Sequence, residues 1–210
     1  PGLHTGEIEH SEEDEGADAA SAFQASNDTV ACAVYAECPT PAHERLYAQL
    51  DSASNLVEIA DRLGWPLRQV RIVVLGELQR GMLRLALPQE LLALAYEELV
   101  AGNHGRAASR LCAWCEYCPP GPADPADAEL LLSEWQAGRL QFALRSMPIR
   151  RARTVLRRLD LAQQNPLTAV EHWTELATQH HEDTLSALHL MIAQVRSAAC
   201  STVQLNSSAI

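Results

Sequence analysis

The chain has 210 residues, is 47% hydrophobic and carries a formal net charge of −11. This length and apolar content allow one or two domains with a buried core. No apolar run approaches the roughly 20 residues that a membrane span requires, and the acidic first residues lack the basic start and apolar core of an export signal. We therefore expect a cytoplasmic protein with no membrane partner.

The basic residues are all of one kind. Every one of the 16 residues counted as Lys and Arg is Arg, and together with the many Ala and Leu this favours a bacterial protein encoded by a GC-rich genome. The chain also contains six Cys. A chain of this length with a helical core does not need disulfide bonds, so the thiols are expected to be mostly reduced.

The first 28 residues form an acidic segment. They contain eight acidic residues, no Arg and few large apolar residues. Little apolar surface is therefore available to offset the entropy that the segment would lose on ordering. We expect residues 1–28 to be a disordered linker or tail.

Residues 29–87 are predicted to form a small domain with the order strand, three helices, strand. The segment "TVACAVYAE" alternates apolar side chains as a half-buried strand does, and a first helix is expected in "TPAHERLYAQL". A second helix, "LVEIADRLG", ends at Gly64, which takes positive φ without steric cost. A third helix begins at Pro66 and ends at Gly81, and "MLRLAL" is a return strand that can pair with the first.

This order is that of a winged helix, and the residues carry a family resemblance. The stretch "LVEIADRLGWPLRQVRIVVLGELQRGML" resembles small bacterial winged-helix modules of regulators associated with roadblock proteins and small GTPases, which also occur as tail modules of signalling proteins. The resemblance covers about residues 28–87 and implies that the third helix is the recognition helix. The side chains there that can reach DNA or a partner are Arg68, Gln69, Arg71 and Arg80.

Residues 88–200 are predicted to be helical, and residues 201–210 to be a flexible tail. Six helices are expected in three antiparallel pairs, and one of these helices is "ADAELLLSEWQAGRLQFALRS". The first pair, within residues 89–120, weakly resembles a tetratricopeptide repeat, because small residues and a closing Pro fall at that repeat's positions, but the spacing drifts afterwards. The fold class is therefore mainly α: a small winged helix-turn-helix domain followed by an all-helical, helical-hairpin domain, with a tetratricopeptide-like array as the alternative.

Three cysteines, Cys112, Cys115 and Cys118, have C-x-x-C-x-x-C spacing. On a helix they fall within an arc of about 120°, and thiolates so spaced can share zinc or an iron–sulfur cluster. A closed site needs a fourth ligand, and none lies close in sequence, whereas free Cys often packs as a small apolar residue. We expect neither a metal nor another cofactor.

No catalytic pattern stands out in the sequence. His180 and His181 adjoin Glu182 and Asp183, but this segment precedes a predicted helix, where acidic side chains favour the helix N terminus. No Ser-His-Asp order, phosphate loop or glycine fingerprint occurs. The sequence therefore favours a protein that is not an enzyme.

An Arg-rich region runs from Arg139 to Arg158, with seven Arg and no acidic residue. In the helix "PIRRARTVLRRLDLA", most of the Arg residues are expected to lie opposite an apolar side that contains Leu156. Such a face is either an ordinary solvated surface or a docking surface for something acidic, such as a partner, a nucleic-acid backbone or the acidic tail. The candidate binding residues are Arg150, Arg151, Arg153, Arg157 and Arg158.

Two functions are compatible with these features. From Thr29 to Leu85 six acidic residues balance six Arg, although DNA affinity depends heavily on Lys and Arg contacts to phosphates. The run "IVVL" over residues 72–75 makes the third helix apolar over much of its surface. We therefore expect a non-enzymatic regulatory adaptor that binds another protein, with an acidic partner or a second copy of the chain as options. The alternative is a DNA-binding transcription regulator whose helical domain senses a signal or dimerises.

Overall fold

A computed structural model of the chain describes residues 26–34, 43–117, 121–163 and 165–207. Over these residues the protein is mainly helical, with ten helices and one two-stranded sheet, which confirms that the fold is mainly α. Most of the predicted acidic segment and the last residues of the predicted tail lie outside the described residues.

Two short strands pair with each other. β1 (Ala31–Ala33) runs antiparallel to β2 (Leu83–Leu85), as the sequence predicted. Because successive side chains of a strand point to opposite faces, Ala31 packs with Leu83 in a core under the first helices, whereas Cys32 packs in the core of the later helices. The strand β1 therefore contributes to both cores.

Between the strands lie three helices: α1 (Glu44–Tyr47), α2 (Leu56–Leu63) and α3 (Leu67–Gln79). α2 begins with a capping box, in which the Asn55 side chain accepts a hydrogen bond from the Glu58 amide at 2.9 Å and Glu58 accepts one from the Asn55 amide at 2.9 Å. Gly64, with φ of 64°, ends α2, since this left-handed conformation is free of strain for glycine. These signals end α2 and let α3 begin after residues 64–66, and the helix-turn-helix assignment of this pair stays a prediction.

The described residues do not establish the wing that a winged-helix domain would have. Each strand has three residues, and β2 is separated by two residues from α4 (Pro88–Val100). Arg84 of β2 donates two hydrogen bonds to the Glu90 carboxylate of α4, each 2.8 Å long. The strand therefore leads directly into the next helix, and the winged-helix assignment stays a prediction.

Six further helices complete the described chain: α5 (His104–Tyr117), α6 (Pro125–Gln136), α7 (Arg139–Arg145), α8 (Ile149–Gln163), α9 (Pro166–Gln179) and α10 (Thr184–Ser207). The sequence predicted one helix where α6 and α7 lie. That prediction was wrong because Gly138 adopts φ of 79° between them, and this left-handed conformation cannot continue a right-handed helix. α10 also extends through Ser207, into the residues that were predicted to be a tail.

The helices from α4 to α10 share one hydrophobic core. Its buried side chains include Trp114, Trp135, Leu156 and Leu159. α9 and α10 form a hairpin at the end of the chain, and α10 contributes Ala193 to the core. One side of α10 is thus covered by its neighbours.

Candidate functional site

The outer surface of α3 is the first candidate interface. Arg68 and Gln69 are exposed in its first turn, and Ile72, one turn later, is 61% exposed. Arg68 makes no ion pair with a described residue. This surface therefore presents one unpaired cation, one amide and one apolar side chain.

The other predicted basic contacts near α3 are engaged within the protein. Arg71 donates a hydrogen bond to the Asn27 side chain. Arg80 donates one to Glu77 Oε1 at 2.7 Å. Intramolecular bonds thus hold two of the three Arg side chains that the sequence assigned to DNA or a partner.

Glu77 is a buried carboxylate that attaches α1 to α3. Its side chain has no exposed surface; Tyr47 Oη donates to Oε2 at 2.8 Å, and His43 Nδ1 lies 3.2 Å from Oε1. Burial acts to raise the pKa of Glu77, but the hydrogen bonds from Tyr47, Arg80 and His43 outweigh it, so the pKa is lowered. These contacts give Glu77 and Arg80 a structural role.

The N terminus of α2 is occupied by groups of α5. Glu58 accepts hydrogen bonds from Arg106 Nε at 2.7 Å and from Arg110 at 2.8 Å, and the Asn55 amide group donates to Ser109 Oγ at 2.7 Å. A free helix N terminus is a ready site for phosphate. Here the carboxylate of Glu58 and the packing of α5 take that position, so the start of α2 is not available to a DNA backbone.

The Arg-rich helix α8 differs from the predicted docking face. Arg158 is 6% exposed and its guanidinium lies 4.5 Å from the centre of the Trp114 ring, so it does not lie on the exposed face that the sequence predicted, and its role in binding stays a prediction. Arg153, which was expected to point outward, is largely buried and lies 3.4 Å from Asp183. The run of Arg residues in the sequence suggested that both side chains are exposed. Instead, the Arg158 guanidinium stacks on an aromatic ring and the Arg153 guanidinium lies beside a carboxylate.

Some of the remaining Arg side chains of this region form ion pairs within the protein, and the others are exposed to solvent. Arg151 lies 3.8 Å from Glu116, and Arg145 of α7 donates to Glu175 at 2.6 Å. Arg139 is paired with Glu134. Arg150 and Arg157 are exposed, and of the five predicted residues on α8 they are the two that an external group can reach without competing for an ion pair with a described residue.

The cysteine motif lies on α5 as far as it is described. Cys112 is buried, and burial raises the pKa of its thiol to about 11. Cys115 is half-buried, with Sγ 4.0 Å from the Arg151 carbonyl oxygen, and Cys118 lies outside the described residues. Among the residues that are described, no group of three or more His, Cys, Asp or Glu is arranged to hold a metal ion. The expectation of no metal stays a prediction.

A cleft that the sequence did not predict lies between α8, α9 and α10. It has a volume of about 360 Å³. Its walls include Leu161, Trp173 and Ile192, and two basic side chains, Arg157 of α8 and Arg196 of α10, line it as well. Three separate helices form this cleft, so no local sequence motif predicts it.

His189 and Trp173 stack in the wall of this cleft. Their ring centres are 4.5 Å apart with an interplanar angle of 21°. Burial lowers the pKa of His189, and the nearby positive charges of Arg157 and Arg153 lower it further. The imidazole therefore favours its neutral form, and the charged side chains in the cleft lining are Arg157, Arg196 and Asp160.

A hydrogen-bonded Asp160–His172 pair lies beside the cleft. His172 is fully buried, and its Nδ1 is bonded to Asp160 Oδ1 while its ring meets the Trp135 ring edge-to-face at 4.4 Å. In some hydrolases the Asp of such a pair orients the His, which acts as the general base. That role needs a nucleophile at the other ring nitrogen of the His. Within the described chain, His172 Nε2 is buried and has no hydrogen-bond partner, so the pair is not arranged for that chemistry.

The outer side of α10 is the second candidate interface. Five large apolar side chains there are between 41% and 68% exposed. At about 100° per residue they fall within an arc of roughly 120°. We call this surface the α10 apolar face; it consists of Leu185, Leu188, Met191, Ile192 and Val195.

The sequence contains a signal for this face. Leu185, Leu188, Ile192 and Val195 follow one another at intervals of three, four and three residues, as apolar residues do along a helix–helix seam. The spacing was masked by the apolar residues on the opposite, buried side of the same helix.

No protein-family model, no curated protein and no solved structure matches this chain. Within the described part of the chain, none of the helices has the length and apolar character needed to cross a membrane.

Proposed function

We propose that the protein is a non-enzymatic regulatory adaptor that acts by binding another protein. The observation that carries this proposal is the α10 apolar face. Contiguous exposed apolar surface is costly in water and marks interaction sites in soluble proteins. A helix that is apolar on its buried side and on its outer side needs a second covering partner.

The composition of α10 also supports a protein partner. From Thr184 to Ser207 the helix has one Arg, one His and no acidic residue. Interface cores are depleted of charged residues, whereas surface helices usually carry charges on the outer side. A partner that covers α10 would therefore bury few charges.

The compartment and family relationship are part of the same proposal. The described cysteines, which include the buried Cys32 and Cys112, are free thiols, which suits a reducing compartment such as the bacterial cytoplasm. The resemblance of residues 28–87 to regulatory winged-helix modules supports a role in regulation. The adaptor would then combine a helix-turn-helix module with a helical region that contacts the partner.

Substitutions on α10 test this proposal. Met191→Glu together with Val195→Glu places two carboxylates in the α10 apolar face, and burying unpaired charge in an interface is strongly unfavourable. In cells that naturally produce the protein, partners recovered with the tagged wild type should be lost with this variant. Gln194 is exposed on the same helix outside the apolar face, so Gln194→Glu is the matched control and should retain them. Equal recovery with both variants would contradict the proposal.

DNA binding is the second candidate, favoured by the exposed Arg68 and Gln69 at the start of α3. Because phosphate contacts dominate DNA affinity, this candidate predicts binding to duplex DNA that falls steeply with salt and weakens in Arg68→Ala. The adaptor proposal predicts no salt-sensitive binding in fluorescence anisotropy with labelled duplexes at low ionic strength. Sequence-specific binding would establish the second candidate instead.

A further inference from the structure

The cleft between α8, α9 and α10 has the dimensions of a small-molecule site. Its volume of about 360 Å³ lies in the range of roughly 300–1,000 Å³ that is usual for ligand pockets. Leu161 of α8, Ala169 of α9 and Ile192 of α10 give it apolar walls on three sides. Such walls fit a hydrocarbon chain or ring.

The charged groups of the cleft are predominantly basic. Arg157 and Arg196 reach it from two different helices, and neither forms an ion pair with a described residue. The acidic residue in the lining is Asp160, whose Oδ1 is bonded to His172 and whose Oδ2 is buried without a hydrogen-bond partner among the described residues. In a chain with a net charge of −11, two unpaired Arg beside an apolar cleft are a distinctive local arrangement.

We infer that this cleft binds an apolar carboxylate, a molecule of the class of medium-chain fatty acids. The carboxylate would accept hydrogen bonds from Arg157 and Arg196, and such charge-assisted bonds are among the stronger polar contacts in proteins. The apolar body would lie along Leu161 and Ile192, against the stacked rings of Trp173 and His189. This ligand site goes beyond the adaptor role and does not depend on it, and the two surfaces share Ile192, which lies in the cleft wall and at the edge of the α10 apolar face.

His189 makes the binding sensitive to pH. It is surrounded by Arg153, Arg157 and Asp160 on α8 and by Asp183 just before α10; burial and the two Arg charges lower its pKa, and the two carboxylates oppose this shift. A carboxylate bound to Arg157, whose own charge already acts on His189, supplies a negative charge near the ring, which favours protonation. Binding therefore takes up a proton, and affinity rises as pH falls toward the pKa of His189.

Isothermal titration calorimetry of the whole protein with decanoate, at concentrations where decanoate is monomeric, tests the inference. We expect one site per chain for decanoate and no measurable binding of decyltrimethylammonium, which has the same chain and the opposite charge. Acetate, which lacks the chain, should also fail to bind. Absence of decanoate binding, or equal binding of the cationic amphiphile, overturns the inference.

Arginine variants locate the site. Arg157→Gln and Arg196→Gln should each weaken decanoate binding roughly tenfold, the effect of losing a hydrogen bond to a charged group. Arg150→Gln is the matched control, because Arg150 is exposed on the same helix as Arg157 and does not line the cleft. If Val195→Glu weakens decanoate binding and the two cleft variants do not, decanoate adheres to the α10 apolar face and the inference fails.

The pH profile provides a second readout. In the wild type, decanoate should bind several-fold more tightly at pH 5.5 than at pH 8, and the imidazole resonances of His189 should titrate at higher pH when decanoate is present. In His189→Gln, the difference between the two pH values should disappear. A wild-type affinity that does not change with pH overturns the role of His189.

Discussion

Arg110 of α5 donates a hydrogen bond to Glu58 of α2 across 2.8 Å, and the Arg110 side chain is 1% exposed. Its Nε and second terminal nitrogen are buried without hydrogen-bond partners in the described residues. Glu58 is thus the counter-charge for a guanidinium buried where α2 meets α5. This ion pair fixes the helix-turn-helix to the helices that follow it.

Removing Glu58 should therefore be costly. Glu58→Ala leaves Arg110 buried without its carboxylate and breaks the capping box of α2, so we expect a loss of about 2–4 kcal/mol in the free energy of unfolding. Glu97 is exposed on α4, and Glu97→Ala is the control, with an expected change within about 0.5 kcal/mol. Urea denaturation followed by circular dichroism measures both. Similar values for the two variants would show that the Arg110 pair is unimportant.

The Arg84–Glu90 pair should give the protein an acid-sensitive contact between β2 and α4. The hydrogen bonds from Arg84 and the Leu87 amide lower the pKa of Glu90 from 4.5 to about 2. A carboxyl with a lowered pKa stabilises the fold fully above its unfolded pKa and loses that contribution as pH falls through its folded pKa. We expect part of the acid destabilisation between about pH 4.5 and pH 2 to come from this residue.

Arg84→Gln tests this pH dependence. The variant should lose less stability than the wild type between pH 5 and pH 2.5, because Glu90 then keeps a more ordinary pKa. Arg68→Gln, which removes an exposed and unpaired Arg, should follow the wild-type profile. Parallel urea midpoints for all three proteins across this range would count against the prediction.

Helix α8 carries both a buried Arg with a structural role and exposed Arg side chains, and substitutions should distinguish them. Leu156 is fully buried, so Leu156→Ala should cost about 2–5 kcal/mol. Arg158→Gln should also destabilise the fold, because it removes the guanidinium that stacks on Trp114. Arg150→Glu should stay within about 1 kcal/mol of the wild type. Chemical denaturation of the three variants would refute this assignment if Arg158→Gln proved as neutral as Arg150→Glu.

The thiols of Cys112 and Cys200 should be alkylated at very different rates. The pKa of Cys112 is raised to about 11 by burial, and a thiol reacts as the thiolate. Cys200 is exposed. At pH 8, iodoacetamide should label Cys200 in the native protein well before Cys112, and mass spectrometry of peptides can follow both. Equal rates in the native protein would contradict the buried position of Cys112.

Much of the fold could be predicted because its signals are local. The capping residue Asn55, the left-handed Gly64 and the alternation around β1 each act within a few residues of the chain. The segment that contains Gly138 was predicted to be one helix, because residue spacing does not show that the φ of Gly138 is positive. Sequence patterns locate such a break less reliably than a break at proline.

The candidate sites were harder to predict because they depend on contacts distant in sequence. Arg158 was assigned to the surface by its charge, although its partner Trp114 lies on another helix. The cleft requires α8, α9 and α10 together, so neither Arg157 nor Arg196 indicates it alone. The spacing of the α10 apolar face is present in the sequence but is hidden among apolar residues on both sides of the helix, and only the structure shows which side is covered.

Site-specific photo-cross-linking from α10 tests the adaptor role most directly. A photoreactive amino acid at Val195, inside the α10 apolar face, is compared with one at Gln194, which is exposed outside it, in cells that naturally produce the protein. We predict a cross-linked protein of defined mass from position 195 and none from position 194, and loss of the product when Met191→Glu is added. No protein adduct from position 195, or the same adducts from both positions, would contradict the proposal that this face binds a protein partner.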